Sequence, residues 1–544
     1  ILMVSFYLLT ISFSRGVVAI NFILGIFFLG GIRFGLRILR EYLLRLSTKQ
    51  IKTRILVVGA GDAGEMTVRE MQKHPEIGKY IIGLVDDNPV KSNLEIHGKK
   101  VLGNRNDIPS IIDKYRVDEV VIAIPSAKGE DIKEIYNLSN RKDVRVRIVP
   151  GVYEIINGEV DINQIREVKV EDLLRREQVK LNNQEIAGYL KGKRVMVTGG
   201  AGSIGSELCR QIARFEPDSL VILDINENEI YFLELELRKK FSELEIITVI
   251  ASIQDKIKLN YIFNKYRPEV VFHAAAHKHV PLMENDPEEA VKNNIFGTKN
   301  AIELSDKYKV QHFVLISTDK AVNPTSVMGA SKRVAEMFIQ QYSCQSQTGF
   351  MAVRFGNVLG SCGSVIPIFK KQIAEGGPVT VTHPDVKRYF MTIPEAVQLV
   401  IQAGALGDGG EVFVLDMGEP VRIIDLARDL IELSGLKEGE DIKIEISGLR
   451  PGEKLFEELL LDGENIATEH ERIFIAGIEK TNVNKVNSSL DILEEQIKKP
   501  DKEGIVDTLK ELVVRYNPER DKKEEPENVI DYQDYRKEAA GTEE

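Results

Sequence analysis

The 544-residue chain has no tryptophan, three cysteines and eight histidines. Cys209, Cys344 and Cys362 are widely spaced and odd in number. They frame neither a disulfide scaffold nor a metal knuckle, and a reducing compartment suits them. Positive charge is in deficit: 72 Lys and Arg against 83 Asp and Glu leave a net charge of −11. That balance excludes nucleic acid as the main partner. An anionic small molecule stays open, because local arginines decide that. With 43% hydrophobic and 28% charged residues the chain is ordinary globular material, and it is too long for one core.

Long apolar runs are scarce as well. Residues Gly16 to Ile32 carry no charge, and a membrane-spanning helix needs about 17–25 such residues. Arg33, Arg37, Arg40, Arg45 and Lys49 follow, so the positive-inside bias puts everything downstream in the cytoplasm. A buried core helix is the alternative. Ile1 to Phe13 is apolar but short and begins without Met, which reads as the remnant of a truncated earlier span. Neither a charged start nor a small-residue cleavage site marks a signal peptide.

Two strand–glycine–helix units follow. In the first, the run from Arg54 ends on Gly59, Gly61 and Gly64, and Asp86 comes about 20 residues later, where a ribose-binding acid falls in a dinucleotide fold. Those glycines either bind a nucleotide or only permit tight strand–helix packing. In the second, the strand Lys193 to Thr198 ends on Gly199, Gly202 and Gly205, and Asp224 closes the next strand. The spacing lets backbone approach a pyrophosphate at a helix N-terminus. A carboxylate at Asp224 accepts the ribose hydroxyls and repels a 2′-phosphate, favouring NAD over NADP.

The organising stretch lies further on. His312 to Thr318 is a buried parallel strand by its branched apolar run, so Asp319 and Lys320 fall beyond its carboxyl end, where open α/β sheets hold ligands. Met328 and Lys332 are four apart at the start of a helix and share one face. An acid, two amines and a hydroxyl therefore converge on one cleft.

Five stretches, Thr198 to Gly205, His273 to Glu284, Ser317 to Thr325, Arg354 to Ser361 and Leu449 to Lys454, resemble the membrane-bound nucleotide-sugar 4,6-dehydratases of polysaccharide biosynthesis. These are the CapD-like members of the extended short-chain dehydrogenase/reductase superfamily. The resemblance spans roughly Ile1 to Tyr516, and five ordered motifs are far more specific than one glycine pattern. It implies NAD held by Gly199, Gly202, Ser203, Ile204, Gly205 and Asp224, with Ala274 and Ala275 passing close and Ser252 and Ile253 beside the adenine, where relatives often carry an acid. His273, His277 and His279 then belong to the cofactor loop and not to a metal, since no fourth ligand accompanies them. Asn294 supports the active-site backbone.

The same resemblance gives Thr318 the 4-hydroxyl, Asp319 the leaving hydroxyl and Lys320 the C5 proton, with Lys332 on the nicotinamide ribose. Like charge from Lys332 and the cofactor is expected to lower the pKa of Lys320. Met328 stands where most of the superfamily has tyrosine, and a thioether takes no proton. Asn357, Arg388, Arg450 and Glu453 are implied on the substrate side, with guanidinium forks for the diphosphate.

The expected fold is α/β, two Rossmann-like parallel-sheet domains in tandem behind a truncated transmembrane region. The expected boundaries are residues 1–35 transmembrane, 36–50 basic juxtamembrane, 51–160 first Rossmann domain, 161–191 connecting arm, 192–516 catalytic domain, and 517–544 charged disordered tail. The implied activity is NAD-dependent 4,6-dehydration of a UDP-N-acetylhexosamine, UDP-N-acetylglucosamine first, at the cytoplasmic face of the membrane for surface glycans. A C4 or C5 epimerase and an inactive membrane-anchored nucleotide-sugar scaffold are the alternatives, and a homo-oligomer is compatible with either.

Overall fold

The computed structural model describes residues 20, 22–28, 30–36, 53–74, 77–141, 144–150, 165–174, 176, 179, 181–459, 466–477, 482–499 and 501–518. Residues 20, 22–28 and 30–36 are helical, and no described helix is long and apolar enough to cross a membrane. The rest of the charge-free stretch, the basic segment as far as residue 52 and the tail from residue 519 lie outside the described residues.

The chain forms two compact units, one of residues 1–127 and 131–168, the other of 128–130 and 169–544. In the first, β1 (Thr53–Val58), β2 (Lys79–Val85), β3 (Glu119–Ile122), β4 (Arg145–Ile148) and β5 (Arg166–Glu167) make a sheet in the order β2-β1-β3-β4-β5. All its pairings are parallel except β4 with β5. Gly59 adopts φ +106° at the end of β1, and Asp86 Oδ2 accepts from Ala60 N at 2.7 Å. Lys91 Nζ also donates to that oxygen, at 3.1 Å.

The second unit is built on nine strands: β6 (Arg194–Thr198), β7 (Ser219–Asp224), β8 (Glu245–Ile250), β9 (Val270–His273), β10 (His312–Ile316), β11 (Gly349–Arg354), β12 (Val412–Leu415), β13 (Ile466–Ala467) and β14 (Ile473–Ile475). Their order is β8-β7-β6-β9-β10-β11-β12-β14-β13. The first seven are parallel, and the last two pairings, β12 with β14 and β14 with β13, are antiparallel. The strands read as continuous apolar runs because helices cover both faces, and Val270, Val271 and Phe272 are fully buried. Strand order reverses between β6 and β9, which opens a crevice at their carboxyl ends.

A second hydrophobic cluster in this unit, including Leu359, Phe369, Val379, Phe390 and Leu426, supports the short strand pairs Asn357–Val358 with Phe390–Met391 and Lys387–Arg388 with Val421–Arg422. These pairs bring Asn357 and Arg388 to the crevice. Residues 183–190, within the stretch read as an arm, form a helix that buries Ile186, Tyr189 and Leu190.

Candidate active site

The glycine loop is fixed by close approach. Gly199 sits at φ +69°, and a Cβ there would meet Ala275 N at 2.6 Å. At Gly205 a Cβ would lie 2.0 Å from Gly199 O. Gly205→Ala is therefore expected to destabilise this unit by the overpacking penalty of about 1–3 kcal/mol. Calorimetry checks it; an unchanged melting midpoint would contradict the packing described. The helix Ser203–Ile212 starts immediately after Gly202, so its N-terminal amides open toward the crevice.

Asp224 ends β7, accepting from Ala201 N and Asn226 N, both at 2.9 Å. Among the described residues no basic side chain pairs with it, whereas its counterpart Asp86 is held by Lys91. A carboxylate without a basic partner, one strand from a glycine turn, fits a ribose diol and not a 2′-phosphate.

The crevice itself is a cleft of about 680 Å³, within the size range of small-molecule and cofactor sites. Gly199, Gly202, Ser203, Ile204, Gly205 and Ala274 line one end. Thr318, Lys320, Met328 and Lys332 line the middle, and Asn357, Arg388, Arg450 and Glu453 the other end. Ser252 and Ile253 stand outside it: Ser252 Oγ accepts from Gln254 N at 3.2 Å, and Ile253 is buried against Gly297.

Thr318 caps a single turn, Asp319–Ala321, at the end of β10. Asp319 does not reach the cleft wall. It is 0% exposed, lying behind Thr318 and Lys320. Thr318 Oγ1 donates to Asp319 Oδ1 at 2.8 Å and Lys320 Nζ donates to the same oxygen at 2.9 Å. Asp319 Oδ2 has no hydrogen-bond partner; it looks toward the missing side chain of Gly356, whose Cβ would be 3.3 Å away. Lys320 also donates to Asn357 Oδ1 at 3.3 Å and lies 3.5 Å from Glu457 Oε1.

The expected lowering of the Lys320 pKa is overturned. Burial pushes it down, but Asp319 and Glu457 together outweigh burial and the net shift is upward. The like charge that opposes them comes from Arg388; Lys332 is itself lowered, by burial, to about 8, with Glu336 opposing. Its Nζ donates to Ile316 O at 2.6 Å.

Met328 is buried in the helix Val327–Ser343, which Ser326 caps by accepting from Gly329 N at 3.1 Å. Asn294 lies on a π-helical turn, Val291–Gly297. Its Oδ1 accepts from His277 N at 2.8 Å, and its Nδ2 donates to His277 O and Ser331 Oγ, both at 3.0 Å. His273 is spanned by two hydroxyls, Thr198 Oγ1 at 2.7 Å and Thr298 Oγ1 at 3.0 Å. Burial, then Lys332, pushes its pKa down to about 3, so the ring is a neutral structural group.

Arg388 is largely spent on carbonyls, donating to Leu455 O at 3.0 Å and Lys454 O at 2.7 Å, with Glu453 at 3.3 Å. Arg450 differs: its guanidinium is exposed and has no described partner, which leaves its whole fork for an anion. A side pocket of about 150 Å³ joins Lys320, Arg388 and Arg450. Glu457, which sequence reasoning missed, is buried between Lys320 and Arg388, at 3.5 and 3.8 Å. It sits three residues beyond the motif ending at Lys454, in an irregular segment with no periodicity to mark it.

Comparison with known proteins adds to this geometry. A family of polysaccharide biosynthesis proteins matches residues 195–477, and a family of CoA-binding domains matches residues 1–150. The capsular polysaccharide biosynthesis protein CapD of Staphylococcus aureus is 48% identical over 444 residues, covering 81% of this chain and 74% of that protein. A UDP-N-acetylglucosamine 4,6-dehydratase (inverting) of Campylobacter jejuni is 31% identical over 261 residues, 46% of this chain and 76% of that enzyme. Among solved structures, Pen from Bacillus thuringiensis superposes with a TM-score of 0.50 at 36% identity, covering 54% of this chain and 91% of that one.

Proposed function

The chain belongs to the polysaccharide biosynthesis protein family of the extended short-chain dehydrogenase/reductase superfamily, and we propose that it removes water across C5 and C6 of a UDP-N-acetylhexosamine, UDP-N-acetylglucosamine first, with NAD bound. The observation that carries the reading is the Thr318–Asp319–Lys320 cluster, in which Lys320 Nζ donates to Asp319 Oδ1 over 2.9 Å at the carboxyl end of β10.

The described residues fit NAD: the glycine turn, the helix N-terminus behind it and Lys332 line one cleft, and Asp224, with no basic partner among the described residues, closes the neighbouring strand against the glycine loop at Ala201 N. When bound, NAD would take hydride from C4, which makes the C5 proton acidic, and return it to C6 once water has left, with the C4 hydroxyl proton passing to water and Lys320 giving a proton back to C5. The chain's own residues then supply an acid and a base. At rest Lys320 holds the proton, because two carboxylates face it. A substrate that excludes water from the cleft disfavours the charged pair. Transfer from Nζ to Asp319 Oδ1 leaves a neutral amine to take the C5 proton. It also leaves a carboxylic acid that reaches the departing C6 hydroxyl through Thr318, whose hydroxyl already contacts Oδ1. Met328 has no part in proton transfer. Arg450 holds the diphosphate, and Asn357 positions Lys320 instead of a phosphate.

Attachment to the cytoplasmic face of a membrane is part of the proposal, supported by the charge-free stretch before Arg33 and the basic residues after it.

Lys332 gives a pH dependence with a definite sign. Its ammonium is present below about pH 8 and is lost as pH rises through that value. NAD affinity is therefore expected to fall above about pH 8, and Lys332→Met to flatten that limb; a fluorescence titration across pH checks both. Mass spectrometry of the nucleotide sugar after incubation with the full chain tests the reaction. Loss of one water supports dehydration, unchanged mass with changed configuration indicates an epimerase, and binding without conversion indicates a scaffold.

A further inference from the structure

Next to the catalytic turn, lined by Ala321 to Pro324 and not by Asp319 or Lys320, lies a separate cavity of about 130 Å³. Four of its lining side chains are basic, Arg333, Arg354, Lys485 and Arg515, and none is acidic. In a chain of net charge −11 such a concentration of one sign is a local field built against the global one.

Arg354 is the informative member. It is 1% exposed. Its Nε donates to Glu336 Oε1 at 2.7 Å and its Nη2 to Glu336 Oε2 at 2.6 Å. Its Nη1 is buried with no partner. An unsatisfied buried donor on a charged group is costly, so a group of this kind calls for an occupant. Glu336 cannot serve it, because its two oxygens already take the rest of that fork, Ser317 Oγ at 2.6 Å and Arg333 Nη1 at 3.0 Å. One carboxylate against two guanidinium groups leaves that cluster with positive charge in excess.

A helix end supplies the remaining donors. The 16-residue helix Val483–Lys498 begins at the cavity, where Asn482 caps Lys485 N at 3.2 Å. Helix N-termini attract anions through free amides and the dipole. Lys485 is exposed, and no described carboxylate pairs with it.

We propose that this cavity is an anion site that takes a phosphate group, distinct from the substrate cleft, with Arg354 Nη1 at its floor and Lys485 at its mouth. The source is a free or small-molecule phosphate. Its wall is the segment directly following Lys320, so occupancy stiffens the catalytic turn.

Calorimetric titration of the full chain with inorganic phosphate tests this, alongside Lys485→Glu and, as a control in the substrate cleft, Arg450→Ala. Wild type is expected to bind phosphate, Arg450→Ala to keep this site, and Lys485→Glu to weaken it by about tenfold or more, the loss of one charge-assisted hydrogen bond with added repulsion. Lys485→Arg is expected to retain binding, and amide exchange over Ala321 to Pro324 to slow when phosphate is added to wild type. The proposal is overturned if no phosphate binds, or if binding is lost in Arg450→Ala and kept in Lys485→Glu. It is also overturned if binding appears only after removal of the acid-rich residues beyond Pro518, which would assign the cavity to the chain's own C-terminus.

Discussion

Asp319→Asn is expected to lower kcat by about 10²–10⁴-fold, the range for loss of a positioned acid–base group, while leaving KM close to wild type. The split follows from burial. Asp319 is behind the cleft wall, so Arg450, the group proposed to hold the diphosphate, is untouched by the change. What is lost is the acceptor for the Lys320 proton: the amide keeps the shape of the carboxyl group but cannot take the proton across 2.9 Å. Steady-state kinetics on nucleotide sugar check it. A variant that loses affinity and turnover together would place Asp319 in direct contact with substrate; one that retains full kcat would remove it from the reaction.

Glu336→Ala is expected to destabilise the catalytic unit by about 3–5 kcal/mol, the cost of leaving buried positive charge without its partner. Glu336 is fully buried and bonded to Arg354, Arg333 and Ser317, so its removal leaves two guanidinium groups facing each other. Urea unfolding read on this unit measures the loss. The charge also carries a pH signature. Burial pushes the Glu336 pKa up, but Arg354 and then Arg333 and Ser317 outweigh it and hold the carboxyl down at about 2. Its contribution is therefore full above the unfolded value of about 4.3 and is withdrawn as pH falls toward 2. Glu336→Gln keeps the shape and is expected to remove that acid-side slope. Because Ser317 precedes Thr318, turnover is expected to fall with stability in the alanine variant.

Local features of the fold were readable in advance, and features assembled from distant segments were not. Gly199 and Gly205 sit at fixed offsets within one strand–turn–helix unit and Asp224 ends the strand that follows it, so spacing alone placed them in the fold. Thr318 and Lys320 follow from the end of a single apolar strand, and Met328 and Lys332 from one helix face. Glu457 comes from an irregular segment more than a hundred residues beyond Lys320 and meets it only in the folded chain. The direction of the Lys320 shift depends on that meeting: two facing carboxylates overcome burial, and Lys332 is turned toward Ile316 O. The burial of Asp319 behind its neighbours is a matter of which way one turn faces, which residue order does not state. Ser252 and Ile253 had only an analogous position to recommend them, and packing against Gly297 draws Ile253 away from the cleft.

The central claim is that a buried carboxyl group and the amine hydrogen-bonded to it drive elimination, with NAD bound, without a tyrosine. Proton NMR of full-length protein incubated with UDP-N-acetylglucosamine tests it most directly. The account predicts a new C6 methyl signal with wild type and none with Asp319→Asn combined with Lys320→Ala. A hexose altered at C4 with no methyl, or a methyl formed undiminished by the double variant, would contradict it.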